Sequence, residues 1–193
     1  HSTSRRQRQM CIRDRYIIVD PAMADNGKLY SGFDKDFPLK MAKLCKYADV
    51  ILPNISEAAF MTGMPYPGEN ASNECIKDLL LSLAKLGSKI IVITGVESAD
   101  QKFGFMGYDS ETKEFFEYYT SKVQMKSHGT GDVFASTFTG ALMNDYNIQD
   151  SLKIAADFTK ACINNTYNDP EAVNYAVNFE SEIPYLLKLI RKV

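Results

Sequence analysis

Lys89-Ile90-Ile91-Val92-Ile93-Thr94-Gly95 places four consecutive β-branched apolar residues between a lysine and a threonine. The run is too short for a buried helix, and its lack of alternation marks a strand covered on both faces. Upstream, Ser72 to Leu86 carries Ile76, Leu79, Leu80 and Leu83 on one helical face, with Gly87 at its end. Before that, Val50-Ile51-Leu52 reads as a second buried strand stopped by Pro53. Asn54 or Ser56 can cap a short helix that runs through Met61 and ends at Gly63. Asp34 to Tyr47 has Phe37, Met41, Leu44 and Cys45 at amphipathic helical spacing, and Tyr16 to Val19 is a further short strand ended by Asp20-Pro21. This β-α-β-α-β order predicts an α/β fold: a mostly parallel sheet with helices on both faces, its ligands bound beyond the C-terminal strand ends.

After Gly95 the pattern changes. Phe103 to Tyr108 and Glu114 to Tyr119, joined by Asp109-Ser110-Glu111-Thr112, predict an antiparallel hairpin whose aromatics pack into the core or offer a stacking platform. From Thr130 onward the chain is expected to be helical, over Asp132 to Asn144, Ile148 to Asn165 and about Glu182 to Arg191. No repeat, low-complexity linker or domain boundary interrupts residues 16–193.

The 193 residues are 45% hydrophobic and 24% charged, which suits one globular domain. No apolar run nears the roughly 18 residues of a membrane span, so no membrane partner is expected. Cys11, Cys45, Cys75 and Cys162 form no CxxC pair, which argues against a zinc site or disulfide framework and fits a cytoplasmic location. His1 and His128 are the two histidines, too few for histidine-rich metal chemistry.

Residues 1–15 stand apart, with Arg5, Arg6, Arg8, Arg13 and Arg15 against Asp14 and no apolar periodicity. They read as a non-native or disordered leader, and Met10-Cys11-Ile12-Arg13-Asp14-Arg15 resembles a translated sequencing adapter. A basic RNA-binding arm or transit peptide is the functional reading of the same stretch, but it lacks an apolar helical face. Without these residues, 17 basic and 23 acidic side chains remain, a net charge of -6 that gives no support for nucleic-acid binding.

Three polar clusters follow strands. In Asp20-Pro21-Ala22-Met23-Ala24-Asp25, two carboxylates five positions apart could hold a hard cation, or simply form a turn and a cap. In Asn54-Ile55-Ser56-Glu57, the i, i+3 pair fits both a ligand site and a helix-capping box. Thr94-Gly95 could approach a nucleotide or merely stop a strand. A fourth feature lies in Ser127-His128-Gly129-Thr130-Gly131-Asp132, where glycines and an acid open an apolar helix. Free amides there can cradle an anion, and Asp132 beside it can take a proton from an attacking hydroxyl.

Together these segments resemble the ribokinase-like small-molecule kinases, and within them the pyridoxal and pyridoxamine kinases, over essentially residues 16–193. Asp20 to Tyr30 is similar to that subfamily's D-P-V-M-G-D-x-G-x-x-Y segment, Asn54 to Glu57 to the wider N-x-x-E motif, and Gly129 to Asp132 to G-T-G-D. The resemblance implies a three-layer αβα sandwich and transfer of a phosphoryl group from ATP to the 5′-hydroxymethyl group of a B6 vitamer. It implies Asp132 as base, Gly129, Thr130 and Gly131 as the anion hole, and Asn54, Glu57, Thr94 and Gly95 at the nucleotide. Asp25 and Glu57, supported by Asp20, would organise Mg²⁺; a monovalent cation requirement and a homodimer are further implications.

Two departures accompany the resemblance. Ala22 and Ala24 replace Val and Gly, and a required φ > 0 at position 24 would strain the loop and shift Asp25. The family also has strands before the D-P segment, so the chain is expected to lack N-terminal strands and to have little activity alone. Hydroxymethylpyrimidine-phosphate kinases share D-P-V-M but resemble G-T-G-C at the anion loop. A sugar kinase of the same superfamily and a non-catalytic nucleotide-binding fragment compete with the B6 kinase as well.

Overall fold

The computed structural model describes residues 16–68, 70–98, 100, 102–121, 128–172 and 176–191. The leader at 1–15 and Ser127 lie outside the described residues. The central sheet contains β1 (Ile18–Val19), β4 (Val50–Ile51), β5 (Ile90–Glu97), β6 (Lys102–Asp109) and β7 (Phe115–Ser121), adjacent in that order. The first three run parallel, and β6 and β7 continue the sheet as the expected antiparallel hairpin. A separate two-stranded hairpin, β2 (Ala24–Asp25) and β3 (Lys28–Leu29), rises between β1 and the first helix.

Helices cover both faces because side chains alternate along each strand. Ile51, Ile91, Ile93 and Met106 point to one face, where α1 (Phe37–Cys45), α2 (Ile55–Thr62) and α3 (Asn73–Ala84) bury Cys45, Ala58, Ile76 and Leu80. Val50, Leu52, Val92 and Phe105 point to the other. There α4 (Thr130–Met143) and α5 (Ile148–Asn168) contribute Phe134, Phe138, Leu152 and Ala155. The result is the expected three-layer sandwich. A short 3-10 turn, Glu180–Glu182, leads into α6 (Ile183–Leu189), whose Leu186 and Leu189 pack near Phe158 and Cys162. Among the described residues no helix is long and apolar enough to cross a membrane.

Three local expectations need correction. Leu44, assigned to the apolar face of its helix, is 54% exposed, whereas Cys45 is buried as expected, together with Pro38 and Ala42. Those three share a face at i, i+4 and i+7, and Leu44 lies one helical step of roughly 100° away from Cys45. The helix starts later than Asp34 because Pro38 occupies its first turn, where a missing N–H costs nothing. Gly95 does not stop β5, which runs on to Glu97 across a register shift between Thr94 and Val96. With φ of 73°, Gly95 is the extra residue of a bulge, and Val96 thereby joins Ile93 on the same core face.

The aromatic hairpin splits its residues between roles. Phe105 packs among Phe116, Tyr118 and Phe134 at centroid separations of 6.5, 6.1 and 6.1 Å, which is core packing. Phe103 is exposed and lies beside Gly95.

Candidate active site

The C-terminal ends of β1, β4 and β5 bring the polar clusters to one edge of the sheet. Asp20 follows β1, and Asn54 follows β4 and forms a parallel bridge with Thr94 of β5. The Thr94 amide donates to the Pro53 carbonyl at 2.9 Å, so the second and third clusters share one backbone junction.

Asn54 and Glu57 form the capping box at the start of α2. Asn54 Oδ1 accepts the Glu57 amide at 2.9 Å, and Glu57 Oε2 accepts the Asn54 amide at 2.8 Å. The same two side chains also hold the segment after Asp20. Glu57 Oε1 accepts the Met23 amide at 3.0 Å and the Ala24 amide at 3.5 Å, while Asn54 Nδ2 donates to the Ala24 carbonyl at 2.8 Å. Glu57 is 3% exposed, and burial pushes its carboxyl up to about 7, although the amides favour the ionised form. Both its oxygens are thus engaged by backbone N–H groups.

Beyond Ala24 the chain makes a tight hairpin. Asn26 and Gly27 have φ of 50° and 69°, the two positive values of a type I′ turn between paired Asp25 and Lys28. Ala24 is fully buried, pairs with Leu29 and is not among the positive-φ residues, so the alanine there brings no backbone strain. Asp25 is exposed and turns toward its neighbour: Oδ1 accepts the Asn26 amide and Oδ2 accepts Asn26 Nδ2, each at 2.9 Å.

Opposite this hairpin, α4 begins at the glycine loop. Gly129 is its N-cap in the left-handed region, with φ of 80°, and a Cβ placed there would meet nothing within 4 Å. A Cβ on Gly131 would meet only Asp20 Oδ2, at 3.9 Å. Among the described residues the loop is bordered by Asp20, and it opens a fourteen-residue helix whose N-cap glycine supplies no side-chain cap. Asp132 sits in that first turn, exposed. Burial, followed by the charge of Asp132, pushes Asp20 up to about 6.

Tyr30 links the two halves. Its hydroxyl is held above the ordinary tyrosine range by burial and then by Asp25, Glu57, Asp20 and Asp132. The four acids singled out in the sequence thus all act on this one tyrosine in the same direction. Among the described residues no three of the His, Cys, Asp and Glu side chains stand close enough to hold a metal ion by themselves. That donor set still suits Mg²⁺, which keeps several waters and takes one or two carboxylates together with substrate phosphates.

Sequence reasoning missed the hairpin and the residues that fix it. Ser56 is 2% exposed and its Oγ accepts the Gly27 amide at 2.8 Å; Tyr66 lies against the other side of Gly27. The Asn26-Gly27 dipeptide is itself a hairpin signal and could have revealed the turn. The sequence marks Ser56 only as a possible cap, a place Asn54 takes, and no local signal marks its contact with Gly27 or that of Tyr66, because both are long-range.

Residues 7–177 match the family model for phosphomethylpyrimidine kinase. A hydroxymethylpyrimidine/phosphomethylpyrimidine kinase of Aquifex aeolicus is 24% identical over 155 residues, covering 80% of this chain and 58% of the relative. Pyridoxine kinase of Bacillus subtilis is 25% identical over 155 residues, covering 78% of this chain and 55% of its own. The crystal structure of pyridoxal kinase from Lactobacillus plantarum superposes with a TM-score of 0.78 at 30% identity, covering 90% of this chain and 62% of that one. The chain thus spans a little over half the length of the curated relatives it matches.

Proposed function

The chain belongs to the phosphomethylpyrimidine kinase family, and from that membership we propose that it carries the phosphoryl-transfer centre of a vitamin B6 kinase. The donor is ATP and the acceptor is the 5′-hydroxymethyl group of pyridoxal, pyridoxamine or pyridoxine. The observation that carries this reading is Asp132 in the first turn of α4, behind the left-handed Gly129 and beside Asp20.

The chemistry follows from position. The amides of Gly129, Thr130 and Gly131 open α4, where the helix dipole favours negative charge, and would cradle the transferring phosphoryl group. Asp132, next to that cradle, would accept the proton of the attacking hydroxymethyl group. Asp20 and Asp25 would hold Mg²⁺ through its water shell, with Glu57 fixing the backbone on which they stand. The metal, when bound, offsets the repulsion between phosphate oxygens and the surrounding carboxylates. Thr94 and Gly95 would border the nucleotide at the end of β5. A monovalent cation and a homodimer accompany the proposal as expectations from the family resemblance.

Phosphorylation of hydroxymethylpyrimidine phosphate is the second reading, favoured by the Aquifex aeolicus relative. Asp132 weighs against it, because the corresponding subfamily resembles G-T-G-C at this loop. An acceptor panel tests the choice in the protein that carries this chain: pyridoxal, pyridoxamine, pyridoxine and hydroxymethylpyrimidine phosphate, each with ATP and Mg²⁺. Turnover of a B6 vitamer above the pyrimidine supports the proposal, and the reverse order replaces it.

A further inference from the structure

We propose that Ser56, with Tyr66 behind the turn, is a positioning residue that sets where Asp25 and Tyr30 stand relative to the Gly129–Asp132 loop. This rests on the kinase reading above and adds to it a residue at a position that the N-x-x-E motif leaves unspecified.

The turn has two inner amides, at Asn26 and Gly27, and neither belongs to the ladder between Asp25 and Lys28. The Asn26 amide is satisfied locally by Asp25 Oδ1. The Gly27 amide has no such neighbour and crosses twenty-nine positions to Ser56 Oγ at 2.8 Å. A partly buried N–H left without an acceptor would turn away to find water, and the turn would turn with it.

The opposite side of Gly27 is closed. A Cβ there would lie 2.6 Å from Tyr66 Cδ1, and φ of 69° already disfavours any L side chain. The turn is therefore held between a hydroxyl on α2 and an aromatic ring after it. Asn54 and Glu57 grip the base of the same hairpin at Met23 and Ala24, but Ser56 alone among these three holds its tip.

Asp25 and Tyr30 both ride on this hairpin. Asp25 is bound into the turn through its two contacts with Asn26, so rotation of the turn carries the carboxylate with it. Tyr30 follows β3, tied to the same segment by its amide, which donates to the Met23 carbonyl at 2.9 Å. Loss of the Ser56 hydroxyl should leave the base of the hairpin in place while displacing Asp25.

The test is Ser56→Ala in the full chain, with two readouts. Amide exchange of Gly27, followed by NMR, should become at least about tenfold faster while Met23 and Ala24 keep wild-type rates. ADP affinity measured with Mg²⁺ should fall about tenfold, whereas ADP affinity in chelator should not change, since only the cation-dependent part needs Asp25 in place. A purely structural role would weaken both affinities alike. Gly27→Ala, which keeps Ser56 but pushes the turn off Tyr66, should give the same split and serves if Ser56→Ala fails to fold. Unchanged Gly27 exchange, or unchanged Mg²⁺-dependent affinity in variants of a wild type that shows it, overturns the positioning role and leaves the kinase reading standing. A wild type with no Mg²⁺-dependent ADP affinity overturns the kinase reading, and the positioning role with it.

Discussion

Glu57 reaches across thirty-four positions to accept the amide of Met23 at 3.0 Å, tying the first turn of α2 to the segment that follows β1. With its other oxygen it accepts the amide of Asn54, so one buried carboxylate joins the second acid cluster to the first. The N-x-x-E segment is thereby both a helix cap and the anchor of the D-P loop.

Glu57→Gln should destabilise the protein even though it removes a buried charge. The new amide group would set its N–H donors against the Asn54 amide or against those of Met23 and Ala24, all three of which the carboxylate now accepts. A loss of roughly 1–3 kcal/mol is expected in urea denaturation. A wild-type midpoint would mean that the tie contributes nothing to stability.

Stability should fall as pH rises through the acid-to-neutral range. Asp20 is raised from 3.8 to about 6 and Glu57 from 4.5 to about 7, so the folded chain binds these protons more tightly than the unfolded one. Their contribution is full below the unfolded values and lost as pH passes the folded ones. Denaturation in metal-free buffer should show lower stability at about pH 8 than at about pH 5, with a smaller difference in Asp20→Asn. Stability that climbs over that interval would contradict the burial of these acids.

Mg²⁺ should reverse part of that loss. The cation needs ionised carboxylates, so its thermal stabilisation should be larger at about pH 8 than at about pH 5. Equal shifts at the two pH values, measured by differential scanning fluorimetry with and without Asp20→Asn, would remove Asp20 from the cation's surroundings.

Gly129→Ala should cost roughly 1 kcal/mol or more through backbone conformation alone, because φ is 80° and the space for a Cβ is open. Gly129→Asn should cost less, since asparagine enters the left-handed region more readily. Equal melting midpoints for the two variants would show that the loop adopts another conformation in solution.

Much of the architecture is legible in the sequence because it rests on short-range patterns. The buried runs at Val50 to Leu52 and Ile90 to Thr94, the Asn54 and Ser72 caps and the Gly63 stop all act within one helical turn or one strand. Leu44 escapes such reading because a single helical step separates a buried face from an exposed one, and Gly95 because a glycine reads alike as a stop and as a bulge. The order of the motifs along the chain does not reveal how they meet. Glu57 to Met23 and Ser56 to Gly27 are pairings across loops, and only the fold brings them together.

Asp132 as the base of phosphoryl transfer to a B6 vitamer is tested most directly by Asp132→Asn in the protein that carries this chain. The assay follows pyridoxal 5′-phosphate formed from pyridoxal and MgATP. The wild type should turn over, and the variant should lose at least about 10²-fold in kcat with little change in KM for ATP, as expected when a group acting in the transition state is removed. Near-wild-type kcat in Asp132→Asn would contradict the assignment of the base.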